Sequence, residues 1–176
     1  MRSVLTTLSK FHPKAPPMPA PWPVRARASV SMDGVTADTT LPPIVLEIET
    51  SAPPLEVWRA LTEPARVAEW FTDASPVRKP GSPYRLDFGE GSVVEGAIIE
   101  VDPGRSFSYT WAWVDLEPRH DTVVTWRIEP LDPRGSRVIL VHEGWSQAGA
   151  DEALRDDHEG YWSGYLDDLA AILAEG

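Results

Sequence analysis

Between residues 44 and 143 apolar and polar side chains alternate in a series of short runs, and after residue 150 the period lengthens to that of a helix. Ile44 to Thr50 sets Ile44, Leu46 and Ile48 against Val45, Glu47 and Glu49, which predicts a half-buried first strand. Ala52 to Phe71 breaks the alternation. Leu55, Trp58 and Leu61 recur at helical spacing behind Pro53 and Pro54, which suit a first turn where a missing N–H costs little. Thr62 is placed to cap a second helix, with Pro64 in its first turn and Val67, Trp70 and Phe71 on its apolar side. Helices of two or three turns are marginal alone, so Trp58 and Trp70 are expected to anchor them to a larger surface.

The next seventy residues supply that surface. Tyr84 to Phe88, a turn at Gly89-Glu-Gly91 and the run Ser92 to Val101 predict a hairpin, and Asp102-Pro-Gly-Arg105 makes the following tight turn. Ser106 to Val114 is a strand with Phe107, Tyr109, Trp111 and Trp113 on one side. His120 to Glu129 and Arg137 to Glu143 complete a meander through Leu131-Asp-Pro-Arg-Gly135, and connections this short make antiparallel neighbours. From Ala150 to Ala174 a long helix carries Leu154, Tyr161, Tyr165, Leu169 and Ile172 on one stripe, with Trp162, Leu166 and Leu173 beside it. Its opposite side holds Asp151, Glu152, Asp156, Asp157, Glu159, Asp167 and Asp168, offset only by Arg155. The order describes an α+β helix-grip fold: a curved antiparallel sheet of about six strands, two short helices and a long C-terminal helix.

At 176 residues with 42% hydrophobic side chains, the chain fits one domain with a tail. Cysteine is absent, which excludes disulfides, thiol chemistry and cysteine metal sites and suits a cytoplasmic setting. The net charge is −11 and unevenly spread, because residues 1–43 carry five basic and two acidic side chains against eleven and twenty-five in the rest. So acidic a body repels phosphate backbones and anionic headgroups, which argues against nucleic acid or an anionic membrane surface as partner. No apolar run approaches the roughly 20 residues of a membrane span. Residues 1–43 hold eight of the 18 prolines. They read as a disordered proline-rich extension, or as translated upstream sequence with the start misassigned and the natural one at Met32 or Met18. The folded domain is expected to span 44–176.

Five segments resemble, in order, the activator of heat-shock chaperone ATPase homologue family, within the START-like or SRPBCC superfamily that shares the birch-pollen-allergen fold. They are the first strand leading into Ala52-Pro-Pro-Leu-Glu-Val-Trp-Arg-Ala-Leu-Thr62, the pair Trp70-Phe71, and Gly96 within Val94-Glu-Gly-Ala-Ile-Ile-Glu-Val-Asp-Pro103. The others are Ser108-Tyr-Thr-Trp111 with Thr122-Val-Val-Thr-Trp126, and Arg137-Val-Ile-Leu-Val-His-Glu-Gly144 before the helix containing Gly160-Tyr-Trp162. The resemblance implies a sheet wrapped around the last helix with a cavity between them, in which superfamily members hold sterols, lipids and polyketides. It also implies a link to stress response. The eukaryotic chaperone activators carry a further N-terminal domain that the proline-rich tail does not supply, so their activity is not carried over.

Candidate ligand-lining side chains are Tyr109, Trp111, Trp113, Trp126, His142, Tyr161 and Tyr165. Four aromatic rings on one strand, at about 150 to 250 Å² each, either stack on a flat apolar ligand or close-pack under the long helix. His142 lies on the face of Val138 and Leu140, either as a ligand or acid–base group or as a core histidine whose bonds are all made. Arg127 either meets a ligand carboxylate or pairs across the outer face. Asp156-Asp157-His158 and His120-Asp121 lack the spacing of a metal site, the Gly89 region lacks a dinucleotide fingerprint, and Gly160-Tyr-Trp-Ser163-Gly is no nucleophile elbow. No catalytic residue, metal or cofactor is assigned. The leading expectation is a non-catalytic binder of one small hydrophobic or aromatic molecule. The alternatives are a polyketide cyclase or aromatase-like enzyme using Tyr109 and His142, and an interaction module for a chaperone, another protein or a second copy of the chain.

Overall fold

A computed structural model describes residues 40–131 and 134–175. The proline-rich extension expected over 1–43 lies outside the described residues except for its last four. Those four are tied to the body: the Leu41 N–H donates to Ser146 Oγ at 2.6 Å, and the Arg155 guanidinium donates to the carbonyl of Pro42 at 3.0 Å.

The chain then forms β1 (Ile44–Thr50), α1 (Pro54–Thr62), α2 (Pro64–Trp70), β2 (Asp73–Ala74), β3 (Pro83–Asp87), β4 (Val93–Asp102), β5 (Ser106–Trp113), β6 (Thr122–Pro130), β7 (Ser136–Glu143) and α3 (Glu152–Ala174). Seven strands make one antiparallel sheet in the order β1-β7-β6-β5-β4-β3-β2. The expected sheet of about six lacked β2, whose two residues are too few to show an alternation. The helix-grip architecture is present, with α3 lying along the concave side and packed on β1, α1 and α2.

Local chemistry explains the helical pair, with one change from expectation. Glu63, not Thr62, is the junction: it is both the residue that ends α1 and the one that precedes α2, held extended at φ −84° and ψ 118°. Pro64 disfavours a helical conformation at the residue before it, so the helix must break there. Thr62 instead turns back and donates its hydroxyl to the Trp58 carbonyl at 2.7 Å. The Trp70 indole N–H donates to the Ala60 carbonyl at 2.9 Å, satisfying one of the carbonyls that a helix end leaves open and pinning α2 to α1.

Register places large side chains in rows on the concave face. Phe107, Trp126, Leu140 and Leu46 stand opposite one another across β5, β6, β7 and β1, and Tyr109, Val124, His142 and Ile44 form the next row. A third pairs Trp111 with Thr122. On α3 the buried residues are Leu154, His158, Trp162, Tyr165, Leu166, Leu169 and Leu173. Tyr161 and Ile172, expected on the stripe, lie on its flank and are partly exposed, because the true line of contact runs through His158 and Trp162.

At Gly96 the strands β4 and β5 approach so closely that a Cβ would stand 1.7 Å from the Thr110 carbonyl oxygen. Gly96→Ala is expected to force the backbone apart and to destabilise the domain by about 3 kcal/mol, the upper part of the usual cost of overpacking. Thermal unfolding followed by circular dichroism reads this as a drop of roughly 10 °C; an unchanged midpoint contradicts the close approach.

Candidate functional site

The interior between β5 and α3 is a connected set of rings. Trp111, which is 1% exposed, is the hub. Its ring centroid lies 5.3 Å from Trp162, 5.5 Å from His142, 5.6 Å from Trp113, 6.1 Å from His158, 6.3 Å from Phe88 and 6.5 Å from Tyr109. Trp126 and Phe71 pack on Trp162 at 5.7 and 5.2 Å, and Tyr165 packs edge-on against Phe71 at 4.7 Å. Edge-to-face and offset pairs at these separations each contribute about 0.5 to 1.5 kcal/mol beyond their buried area.

Two histidines hold the set together by hydrogen bonds. The Trp162 indole N–H on α3 donates to His142 Nδ1 at 3.0 Å. An indole can only donate, so His142 must carry its proton on Nε2, which donates to Thr122 Oγ1 at 2.7 Å. The Thr122 hydroxyl then donates to the Trp111 carbonyl at 3.2 Å. The same reasoning fixes His158: the Trp113 indole N–H donates to its Nε2 at 3.0 Å, leaving Nδ1–H for the Leu154 carbonyl at 2.7 Å. The Trp145 indole donates to the His142 carbonyl at 2.9 Å. Sheet and helix are thus joined by a β7-to-α3 bond and a β5-to-α3 bond, each ending on a neutral imidazole.

Burial opposes charging of either ring. His142 is held well below the usual histidine range by desolvation and then by its neighbour His158, 5.6 Å away between ring centroids. His158 is lowered to about 4, desolvation leading, with the Leu154 carbonyl pulling the other way and His120 adding to the fall. Protonation would also set a new N–H against an indole N–H that already points at the same nitrogen. Tyr109 stays a neutral phenol well above its ordinary range, through burial and then the adjacent Tyr84.

The sequence-predicted residues fall into four groups. Trp111, Trp113, Trp126, His142 and Tyr165 join the ring set. Tyr109 faces the same interior but leans to the other side of Trp111, with its ring 4.6 Å from Tyr84. Val124 separates Tyr109 from His142 in their row, which puts their backbones two strand spacings, about 10 Å, apart. Tyr161 sits on the flank of α3, partly exposed. Arg127 points to the outer face and is exposed, since β6 turns Trp126 inward; its cross-strand neighbours Ser106 and Ile139 are uncharged. His158, Phe88, Thr122 and Trp145 were not singled out as lining. The spacing of His158 from Leu154 and Trp162, four residues each way, was the available signal.

One polar atom in the set is unmatched. Among the described residues, Trp111 Nε1 is a buried side-chain nitrogen with no hydrogen-bond partner. No group of three histidine, aspartate or glutamate side chains there is arranged to hold a metal ion.

A curled antiparallel sheet gripping a long C-terminal helix over an aromatic interior defines the helix-grip class. The family model described as activator of Hsp90 ATPase homolog 1-like protein matches residues 51–174, and the chain belongs to that family. Protein MLL2253 from Mesorhizobium loti has a similar structure, with TM-score 0.68 and 25% identity over 75% of this chain and 96% of its own. DynU16, a putative protein of the dynemicin biosynthetic locus, superposes with TM-score 0.65 at 23% identity over 74% of this chain and 46% of its own. The Aha1 dimer from Colwellia psychrerythraea does so with TM-score 0.64 at 18% identity over 76% of this chain and 96% of its own. At those identities the last two share the fold. No curated protein sequence matches the chain at a significant level.

The histidines set a pH dependence. Their folded pKa values lie below the unfolded one near 6.5, so the unfolded chain binds more protons in between and stability falls as pH drops. For His158 the window runs from about 6.5 down to about 4, at a slope near 1.4 kcal/mol per pH unit. Urea unfolding between pH 4.5 and 7.5 is expected to give His158→Gln a slope smaller than the native protein's by about that amount below pH 6.5, with no difference in slope above it. Parallel curves for the two proteins contradict a neutral buried His158.

Proposed function

We propose that the domain binds one flat, apolar small molecule between α3 and the β3–β5 half of the sheet, without converting it. The observation that carries this reading is where the aromatic rings lie. The α3 backbone packs on β1, α1 and α2, whereas its reach toward β5 and the β3 end is spanned by side chains: Trp113 to His158, Trp111 to Trp162, and Phe88 to Tyr165. The last two are tilted ring contacts with no hydrogen bond between the partners, which can part and close again on another planar group while the Trp113–His158 bond stays made. Trp113 and Tyr161 are partly exposed beside this region. Burying an apolar ligand there yields about 25 cal/mol per Å², so affinity needs no charge pairing. A cytoplasmic setting is part of the reading, supported by the cysteine-free composition.

The hydrogen-bond pattern favours binding over catalysis. Both nitrogens of His142 are engaged, and Tyr109 stands across Val124 from it, so a cyclase or aromatase-like mechanism would first have to break the Trp162 or Thr122 bond. An interaction module is the second reading, favoured by the acidic outer side of α3, where Asp151, Glu152, Asp156, Asp157 and Asp167 are exposed. Such a face steers a basic partner and is sensitive to salt.

Freshly purified protein examined by native mass spectrometry is expected to carry or take up one apolar molecule from a panel of lipids and polyketide-like aromatics. A ligand at 100 times its Kd stabilises by about 2.7 kcal/mol, a thermal shift of several degrees. No adduct and no shift across the panel, with capture of a partner at low ionic strength that 0.5 M salt abolishes, selects the interaction module instead.

A further inference from the structure

The unmatched indole of Trp111 narrows the class of ligand, and the narrowing rests on the binding reading above. Its neighbours show how this interior treats indoles. Trp70 donates to a carbonyl, Trp113 and Trp162 to imidazole nitrogens, and Trp145 to a carbonyl. Trp111 sits at the centre of the same set, more enclosed than most, and its N–H meets no acceptor. A buried donor left open is costly, and native interiors rarely tolerate one without a reason.

Among the described residues no acceptor lies within hydrogen-bond distance of that N–H. The unprotonated nitrogens of His142 and His158 are taken by Trp162 and Trp113, and the Thr122 oxygen accepts from His142 while donating to the Trp111 carbonyl. A water molecule is a poor answer for the same reason. Buried water is held by two to four polar partners, and among the described residues the Trp111 N–H is the buried side-chain group left without one. What suits the site is an acceptor oxygen attached to an apolar body, which takes the single N–H and leaves its remaining surface to the rings.

We infer that Trp111 is the polar contact of the ligand site, donating its indole N–H to a carbonyl-type oxygen on an otherwise apolar, planar molecule such as an aryl ketone or quinone. Phe88, Trp113 and Trp162 then supply flat contact around the bound ring system, and the histidines remain neutral structural acceptors. Selectivity follows from the unmatched donor: a hydrocarbon of the same shape leaves it open, and a ketone closes it.

Fluorenone and fluorene test this, since both are planar tricyclic molecules and only the first has a ketone oxygen. Titration of the full chain, followed by tryptophan fluorescence, is expected to give fluorenone at least about tenfold tighter binding than fluorene. In Trp111→Phe the ratio of the two affinities is expected to fall to about one, whatever loss is common to both compounds. With ¹⁵N-labelled tryptophan, the indole signal missing from Trp111→Phe is expected to move downfield with fluorenone and not with fluorene. If that variant does not fold, the signal is assigned through its contacts to Trp162 and Thr122 in the native protein. Equal affinities, or an unmoved Trp111 signal with fluorenone bound, overturn the inference and leave the binding reading standing. Absence of binding by either compound, together with an empty panel in the native mass spectra, removes both.

Discussion

The fold depends on two histidines that must stay uncharged. His142 and His158 are both buried, and each accepts a hydrogen bond from an indole across the gap between sheet and helix. An apolar helix on an apolar sheet slides with little penalty, because burial is non-directional. The Trp162–His142 and Trp113–His158 bonds are directional, so they fix α3 in both rotation and translation against β5 and β7. Charging either imidazole removes the acceptor and adds a buried cation, and the same event loosens the grip on which the interior depends.

That arrangement separates support from contact. His142, Thr122, Trp162 and the Trp111 carbonyl form a closed chain of donors and acceptors, rigid because every member is satisfied. The Trp111 side chain belongs to the same residue as that carbonyl but is left out of the chain. A residue held firmly by its backbone and open at its tip is well suited to meet something from outside. Membership of a family named for a chaperone co-factor does not decide what that something is, because one fold carries many sites.

The strand order and the two short helices could be read from alternation, prolines and turn residues, because those signals are local. β2 could not, since two residues have no period. Leu154, Tyr165 and Leu169 of the expected helical stripe are buried, but the stripe took in Tyr161 and left out His158 for a chemical reason: imidazole counts as polar, although it packs inside once both nitrogens are bonded. Most of the aromatic strand was evident, and so was the inward face of His142. The pairing of each histidine with an indole was not, because Trp113 and His158 are 45 positions apart and only the register of β5 and the rotation of α3 bring them together. Arg127 was decided by parity alone, one residue after an inward tryptophan.

The attachment of Leu41 and Pro42 to Ser146 and Arg155 has a consequence for the layout of the domain. It fastens the incoming chain beside the first turn of α3, while the outgoing chain leaves from the last turn. With 23 residues, the helix separates these two points by about 34 Å. The described chain therefore begins beside one pole of a single rigid rod and ends at the other.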